Sequence, residues 1–313
     1  MGESVTAFAP ASIGNVGVGF DMLGLALDGV GDHVIARRKD QPGISVSEVL
    51  GLDGAPHPYL SKDPEHNTAS IAVKALWNDY GDDHGVDLRI HKGVPLQSGM
   101  GSSAASAVAA TFAVNQLLGT PLPTPNLLPY ALAGEQYASG GLHADNVAPS
   151  LLGGMIYCPK VLLPETVRMP VPKGVSAVLI HPELQVNTAH ARRKLAKAYS
   201  MEQWLEQQAY FGGFLAACAA SDLELIRKTL KDVIVEPQRA SAVSCFAAVK
   251  DAAVRGGALG CSLSGSGPSI FALTESGKAG NLATAMEQAC RSLGIDCQSW
   301  VSSLDAPGAH LEA

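Results

Sequence analysis

Charge is scarce in this chain. Asp, Glu, Lys and Arg make up 16% of its 313 residues, and the formal net charge is −7. An acidic surface repels a phosphate backbone, so nucleic acid is excluded as an expected partner. No run of 18 or more apolar residues occurs, so no membrane-spanning helix is expected. The six cysteines (Cys158, Cys218, Cys245, Cys261, Cys290 and Cys297) form no C-x-x-C pair, which argues against a zinc site or a dithiol redox motif. Scattered thiols of this kind suit a reducing, cytoplasmic setting. The opening residues MGESVTAFAP lack a basic segment followed by an apolar run, so they do not read as a signal peptide. They match the myristoylation pattern M-G-x-x-x-[ST] through Thr6, against which stands the reading of Val5 to Phe8 as a first strand.

Apolar residues are plentiful, at 47%, which is enough for a large buried core and argues against disorder. The length suits two domains of ordinary size or one large one. Strands are expected at Val5 to Ala9, Val34 to Arg37, Ile44 to Val49 and Val86 to His91. Helical spacing marks Asn67 to Tyr80, Ser103 to Leu118 and Tyr130 to Ala138. Between the first strands, Pro10 to Leu27 is rich in glycine and reads as a bent loop. A second glycine-rich turn region covers Gly140 to Gly154. Four prolines between Pro159 and Pro172 place a domain boundary there, giving residues 1–165 and 166–313. Beyond it, a strand at Ser176 to His181 precedes helices at Ala189 to Tyr199, Met201 to Ala219, Leu223 to Val235 and Ala240 to Arg255. Strands at Leu259 to Leu263, Ile270 to Thr274 and Asp296 to Ser302, with a helix at Lys278 to Leu293, complete an α+β half. No internal repeat is visible.

The most informative segment is PLQSGMGSSAAS, Pro95 to Ser106, which opens an alanine-rich helix. A helix start presents unpaired N–H groups and partial positive charge, and glycine lets such amides approach an anion closely. The segment therefore reads as a phosphate cradle built from Pro95, Ser98, Gly99, Met100, Gly101, Ser102 and Ser103. No Lys follows the glycines, so it is not a P-loop of the Walker type. For Ser102 and Ser103 taken alone, helix capping is the simpler reading.

Three segments in order carry a recognisable pattern: PASIGNVGVGFDMLGLAL from Pro10, PLQSGMGSSAAS from Pro95, and GCSLSGSGPSIFAL from Gly260. Together they resemble the signature motifs of the GHMP small-molecule kinases. Within that family, GEQYASGGLHADNVAPSLLGG (Gly134 to Gly154) and IVEPQR (Ile234 to Arg239) look like the substrate regions of homoserine kinases. The resemblance covers about residues 5 to 275. It implies an α+β chain of two domains, the first like ribosomal protein S5 domain 2 and the second ferredoxin-like. It also implies an ATP-dependent transfer to L-homoserine in threonine biosynthesis, and a homodimer.

The resemblance implies magnesium held by Ser103 and Glu135, and an adenine-side contact at Asn67, which also reads as an N-cap. Lys92 could offer a cation to the phosphates or be a solvated strand-end residue. Homoserine is a zwitterion, so its site needs cations for the carboxylate and acceptors for the ammonium. Arg192 and Arg239 suit the carboxylate, Asp21 and Asn15 the ammonium, and His143 a further hydrogen bond. Thr188 shares a helical face with Arg192. Gly265, Ser266 and Gly267 belong to the third motif, whose glycines could equally form a plain hairpin turn. Mevalonate kinase and galactokinase use an aspartate at the acceptor hydroxyl. The matching position here is Asn146, which cannot take a proton. The reading is therefore catalysis without a dedicated base, resting on alignment and charge, with Asn146, Arg192 and Glu135 as the catalytic set. Asp145 next door reads as a turn residue or as a rival base.

Three rivals stand beside this reading. A dinucleotide-binding oxidoreductase needs G-x-G-x-x-G after the first strand, and glycines at 14, 17 and 19 do not give that spacing. A non-catalytic ligand sensor could use the same fold. A mevalonate or sugar kinase of the same family would have no use for an acceptor facing an ammonium.

Overall fold

The computed structural model describes residues 4–312, apart from the side chains of residues 188–190. Met1 and Gly2, on which the myristoylation pattern falls, lie outside the described residues. Strand β1 (Ser4–Gly14) pairs antiparallel with the long β2 (Leu23–Lys39). After β3 (Gly43–Leu50) comes α1 (Thr68–Tyr80), and then β4 (Gly85–His91), which lies parallel to β3 and antiparallel to β2. Three helices follow: α2 (Ser102–Asn115), α3 (Leu128–Ser139) and α4 (Val147–Leu152). The short β5 (Met155–Tyr157) and β6 (Val167–Arg168) then extend the sheet from β2.

The chain next forms β7 (Val175–Pro182), α5 (Thr188–Arg193), α6 (Met201–Ala220), α7 (Leu223–Thr229), α8 (Glu236–Arg239) and α9 (Phe246–Arg255). It closes with β8 (Gly260–Leu263), β9 (Ile270–Glu275), α10 (Ala279–Arg291), β10 (Cys297–Ser303) and β11 (His310–Leu311). Strands β10-β7-β9-β8 make a second, antiparallel sheet, whereas β11 returns to pair with β1 in the first. The chain thus has the two-part α+β architecture expected from the sequence.

Alanine explains how α2 sits where it does. Twelve of its residues, Ala104, Ala105, Ala107, Ala109, Ala110 and Ala113 among them, are buried. A helix enclosed by α1, α3 and the strands β1 and β2 needs side chains small enough for its neighbours to approach on every side. The helices α1 to α4 bury a core against the first sheet. A separate core joins the halves: Ile13, Leu25 and Met100 pack in one apolar cluster with Leu179, Phe214 and Phe271. That shared core fixes the two glycine-rich loops against each other.

Local differences from the sequence reading have identifiable causes. Pro10 to Gly14 is not loop but strand, because it stays paired with β2 through Ser12–Ala26 and Ile13–Leu25. Both faces of that stretch are covered, so no polar alternation betrays it. The bend is confined to residues 15–22. The helix expected over Leu223 to Val235 stops at Thr229, where Asp232 takes up the amides of Ile234, Val235 and Glu236 and starts α8. The helix expected from Ala189 to Tyr199 ends at Arg193. Inside the glycine-rich 140–154 region, α4 forms and ends at Gly153, whose positive φ of 75° with an extended ψ suits glycine.

Candidate active site

The phosphate-loop candidate is held open by its own backbone. Gln97, Gly99 and Gly101 all adopt positive φ. A Cβ on Gly99 would run into the carbonyl oxygens of Ser264 and Gly267, so only glycine lets the phosphate-loop candidate lie on the third motif. Ser264 Oγ donates to the Gly99 carbonyl at 2.6 Å, and the Ser269 N–H to the Ser98 carbonyl at 3.1 Å. Gly101 is the N-cap of α2, and no side chain caps that helix. Its first turn therefore keeps its amides and the positive end of its dipole for something else. Neither serine caps the helix: Ser102 Oγ donates to the Val94 carbonyl (2.9 Å) and Ser103 Oγ to Glu135 Oε2 (2.6 Å). Glu135, from α3, is buried, and burial pushes its carboxyl up to about 7.

Lys92 is not a solvated residue. It is buried beneath the start of α2, where its ammonium pairs with Asp32 and donates to the Ser102 carbonyl and to Ser106 Oγ, both at 2.8 Å. Asn67 caps α1: its Oδ1 accepts from the Ala69 and Ser70 amides, while its Nδ2 donates to the Ser61 carbonyl.

The opposed charges expected for a zwitterion lie together and pair with each other. Both terminal nitrogens of Arg192 donate to the Asp21 carboxylate, at 2.7 and 2.6 Å. These bonds hold the Arg192 guanidinium above its usual pKa. His143 Nδ1 lies 3.5 Å from Asp21, and burial lowers its pKa. Asn15 organises the bend: its Oδ1 accepts from the Asp21 amide (3.0 Å), its Nδ2 donates to the Gly265 carbonyl (3.1 Å), and its own amide donates to Asp145 (3.2 Å). Arg239 also reaches the Gly265 carbonyl, at 2.9 Å. Asn146 Oδ1 accepts from Ser12 Oγ at 3.0 Å. Burial, reinforced by Asp21 and Glu135, raises the Asp145 carboxyl to about 7.

One cavity of about 370 Å³ gathers these groups, within the range of small-molecule sites. "GHMP kinases N terminal domain" matches residues 67–154, and "GHMP kinases C terminal" matches residues 214–292. A homoserine kinase of Xanthomonas campestris pv. campestris (strain B100) is 43% identical, over 98% of this chain and 94% of that one. One from Chlorobium phaeobacteroides (strain BS1) is 39% identical, over 99% of each. The crystal structure of homoserine kinase from Cytophaga hutchinsonii superposes with a TM-score of 0.94 at 41% identity, covering 100% of this chain and 98% of that one. The chain belongs to the GHMP kinase family.

All but four of the site residues named from the sequence line this cavity of the GHMP kinase fold, and Gly267 of the third motif is one of the four. Pro95 borders a neighbouring cavity instead. The Met100 side chain is fully buried in the core between the halves, so only its backbone is near the loop. The side chain of Thr188 lies outside the described residues. Sequence reasoning passed over Ser12, Asp32 and Phe20. Phe20 immediately precedes Asp21 in the first motif, which was its available signal. Asp32 carries no local signal, because its partners Lys92 and Ser106 lie 60 and 74 residues away.

Proposed function

We propose that this chain is a homoserine kinase, which moves the γ-phosphoryl group of ATP to the γ-hydroxyl of L-homoserine and yields O-phospho-L-homoserine for threonine biosynthesis. One observation carries the reading. A single cavity combines an uncapped helix start, fit for a polyphosphate, with an Asp21 carboxylate and two guanidiniums, fit for an amino acid. A mevalonate or sugar kinase would lack a use for that acceptor, and a sensor would not need the Ser103–Glu135 pair.

The donor set fits magnesium. Ser103 and Glu135 present hard oxygens 2.6 Å apart, and a buried carboxyl raised to about 7 lacks a counter-charge. Among the described residues no group of three or more His, Cys, Asp or Glu could hold a metal alone, which suits an ion taking its other ligands from phosphates. Bound there, magnesium would neutralise charge on the transferring phosphoryl group. The α2 amides would hold the phosphates, Arg192 and Arg239 the substrate carboxylate, and Asp21 the ammonium. Ser12 occupies Asn146 Oδ1, which leaves the Nδ2 donors to orient the acceptor hydroxyl. On this reading no dedicated base acts, and the proton leaves late. One observation favours a second account of the proton: Asp145 adjoins Asn146 and has a carboxyl raised to about 7, near the value suited to a base. A cytoplasmic location and a homodimer accompany the reading by family likeness. The test is ADP release across homoserine, mevalonate, galactose and shikimate. Strong preference for homoserine supports the proposal, and turnover of mevalonate or galactose in its place removes it.

A further inference from the structure

Phe20 holds a position that no part of the phosphoryl-transfer chemistry requires. It lies in the 15–22 bend, immediately before Asp21. The Arg192 guanidinium carbon lies over its ring at 5.2 Å from the centroid, and that of Arg239 lies over it at 5.1 Å. The two cations come from separate helices of the second half, α5 and α8, whereas the ring comes from the first. Two guanidiniums gathered in one pocket repel each other. Burial and then the Arg192 charge hold Arg239 below its usual pKa. Arg239 is also nearly enclosed, and its buried Nε has no hydrogen-bond partner. An unpaired, buried donor beside a second cation points to an anion that completes the site.

We infer that Phe20 is a positioning residue for substrate recognition, whose π face keeps Arg192 and Arg239 together as a carboxylate cradle before the amino acid arrives. The inference rests on the proposed amino-acid substrate and deepens it. The negative face of an aromatic ring attracts a guanidinium, and each such contact offsets part of the repulsion between the two cations. With the cradle assembled in advance, less of the binding free energy goes into ordering two long side chains. Asp21, at the next position, holds the terminal nitrogens of Arg192, and a zwitterion would divide that pair, its carboxylate taking Arg192 and its ammonium taking Asp21.

Replacing Phe20 by 3,4,5-trifluorophenylalanine tests this with little change of shape, since fluorine drains the ring face. Two probes separate the inference from the function it rests on. L-homoserine turnover reads the kinase, and calorimetric binding of L-2-aminobutyrate, a zwitterion without a hydroxyl, reads the cradle alone. The expected result is a stepwise loss along mono-, di- and trifluoro variants, reaching roughly tenfold in aminobutyrate affinity and in KM for homoserine. Phe20→Leu is expected to lose at least as much and Phe20→Trp to retain near-native affinity, with KM for ATP and the melting temperature of the fluorinated proteins unchanged. Native aminobutyrate affinity in the trifluoro variant would overturn the inference, as would failure of the unmodified protein to bind aminobutyrate. If homoserine is not phosphorylated but aminobutyrate binding still falls with fluorination, the kinase reading fails and the cradle stands.

Discussion

Lys92 and Asp32 form a buried ion pair directly beneath the first turn of α2. Their side chains are 3% and 0% exposed. Asp32 is fully engaged: Oδ1 accepts the Gly93 and Val94 amides, and Oδ2 accepts from Lys92 and Ser106. The pair ties the end of β4 to the helix that opens the candidate phosphate loop. Removing one partner strands the other charge without water, which costs roughly 3–5 kcal/mol. Asp32→Asn and Lys92→Met are each expected to lower the unfolding free energy extrapolated from urea denaturation by that amount. The double substitution should cost clearly less than the sum, since it strands no charge. Strict additivity in the denaturation series would show that the two residues act separately.

Ser103 and Glu135 should fail together. Glu135→Gln is expected to cut kcat by roughly a hundredfold or more, because charge neutralisation at the transferring group is the principal catalytic effect. It should also shift the magnesium concentration needed for half-maximal rate upward. A magnesium titration giving the wild-type midpoint in Glu135→Gln would remove that carboxylate from the metal site.

The proton question turns on two neighbouring residues. If alignment and charge carry the rate, Asp145→Asn keeps most of kcat, and Asn146→Asp brings a new ionisation into the pH–rate profile. A loss of several orders of magnitude in Asp145→Asn, with the fold intact by circular dichroism, would identify Asp145 as the proton acceptor.

Asp145 also sets a pH dependence of stability. Burial, with Asp21 and Glu135 adding to it, raises its carboxyl from an ordinary 3.8 to about 7. The folded protein thus keeps a proton that the unfolded chain releases. Its stabilising contribution is fully present below 3.8 and is lost as the pH rises to about 7. Glu135 acts in the same sense, with Arg192 opposing at Asp145. Wild-type stability in urea is expected to fall between pH 4.5 and 7.5, and Asp145→Asn should flatten much of that slope. An equal slope in the variant would place the proton elsewhere.

Gly99→Ala tests the contact between the loops. At φ 76° a side chain is already strained, and the new methyl would meet two carbonyl oxygens of the third motif. A loss of roughly 2–4 kcal/mol is expected, larger than strain alone would cause, together with a raised KM for ATP. Gly54→Ala serves as the control. It has positive φ but open space around it, and it should cost only the backbone strain.

Much of the site was legible because its chemistry is local in sequence. Glycines, serines and an alanine-rich helix mark the candidate phosphate cradle, whereas the roles of Asp21 and Arg192, 171 residues apart, come only from the resemblance to homoserine kinases. The strand from Pro10 to Gly14 was hidden because a stretch buried on both faces loses its alternation. The early stops at Thr229 and Arg193 were hidden because helical composition runs on past the point where the chain turns away.

What the amino-acid order determined by itself is therefore the inventory: a helix start lined with small residues, a third glycine-rich turn, and the carboxylates and guanidiniums available to a site. What only the tertiary structure decided is pairing across distance. Lys92 meets Asp32 under the helix, Asn146 meets Ser12, and one phenyl ring gathers two arginines from the other half of the chain. Nothing in the spacing of residues encodes such contacts. They arise when burial of Ile13, Leu25, Leu179 and Phe271 in one shared core brings the two halves together and leaves each polar group to find a partner away from water.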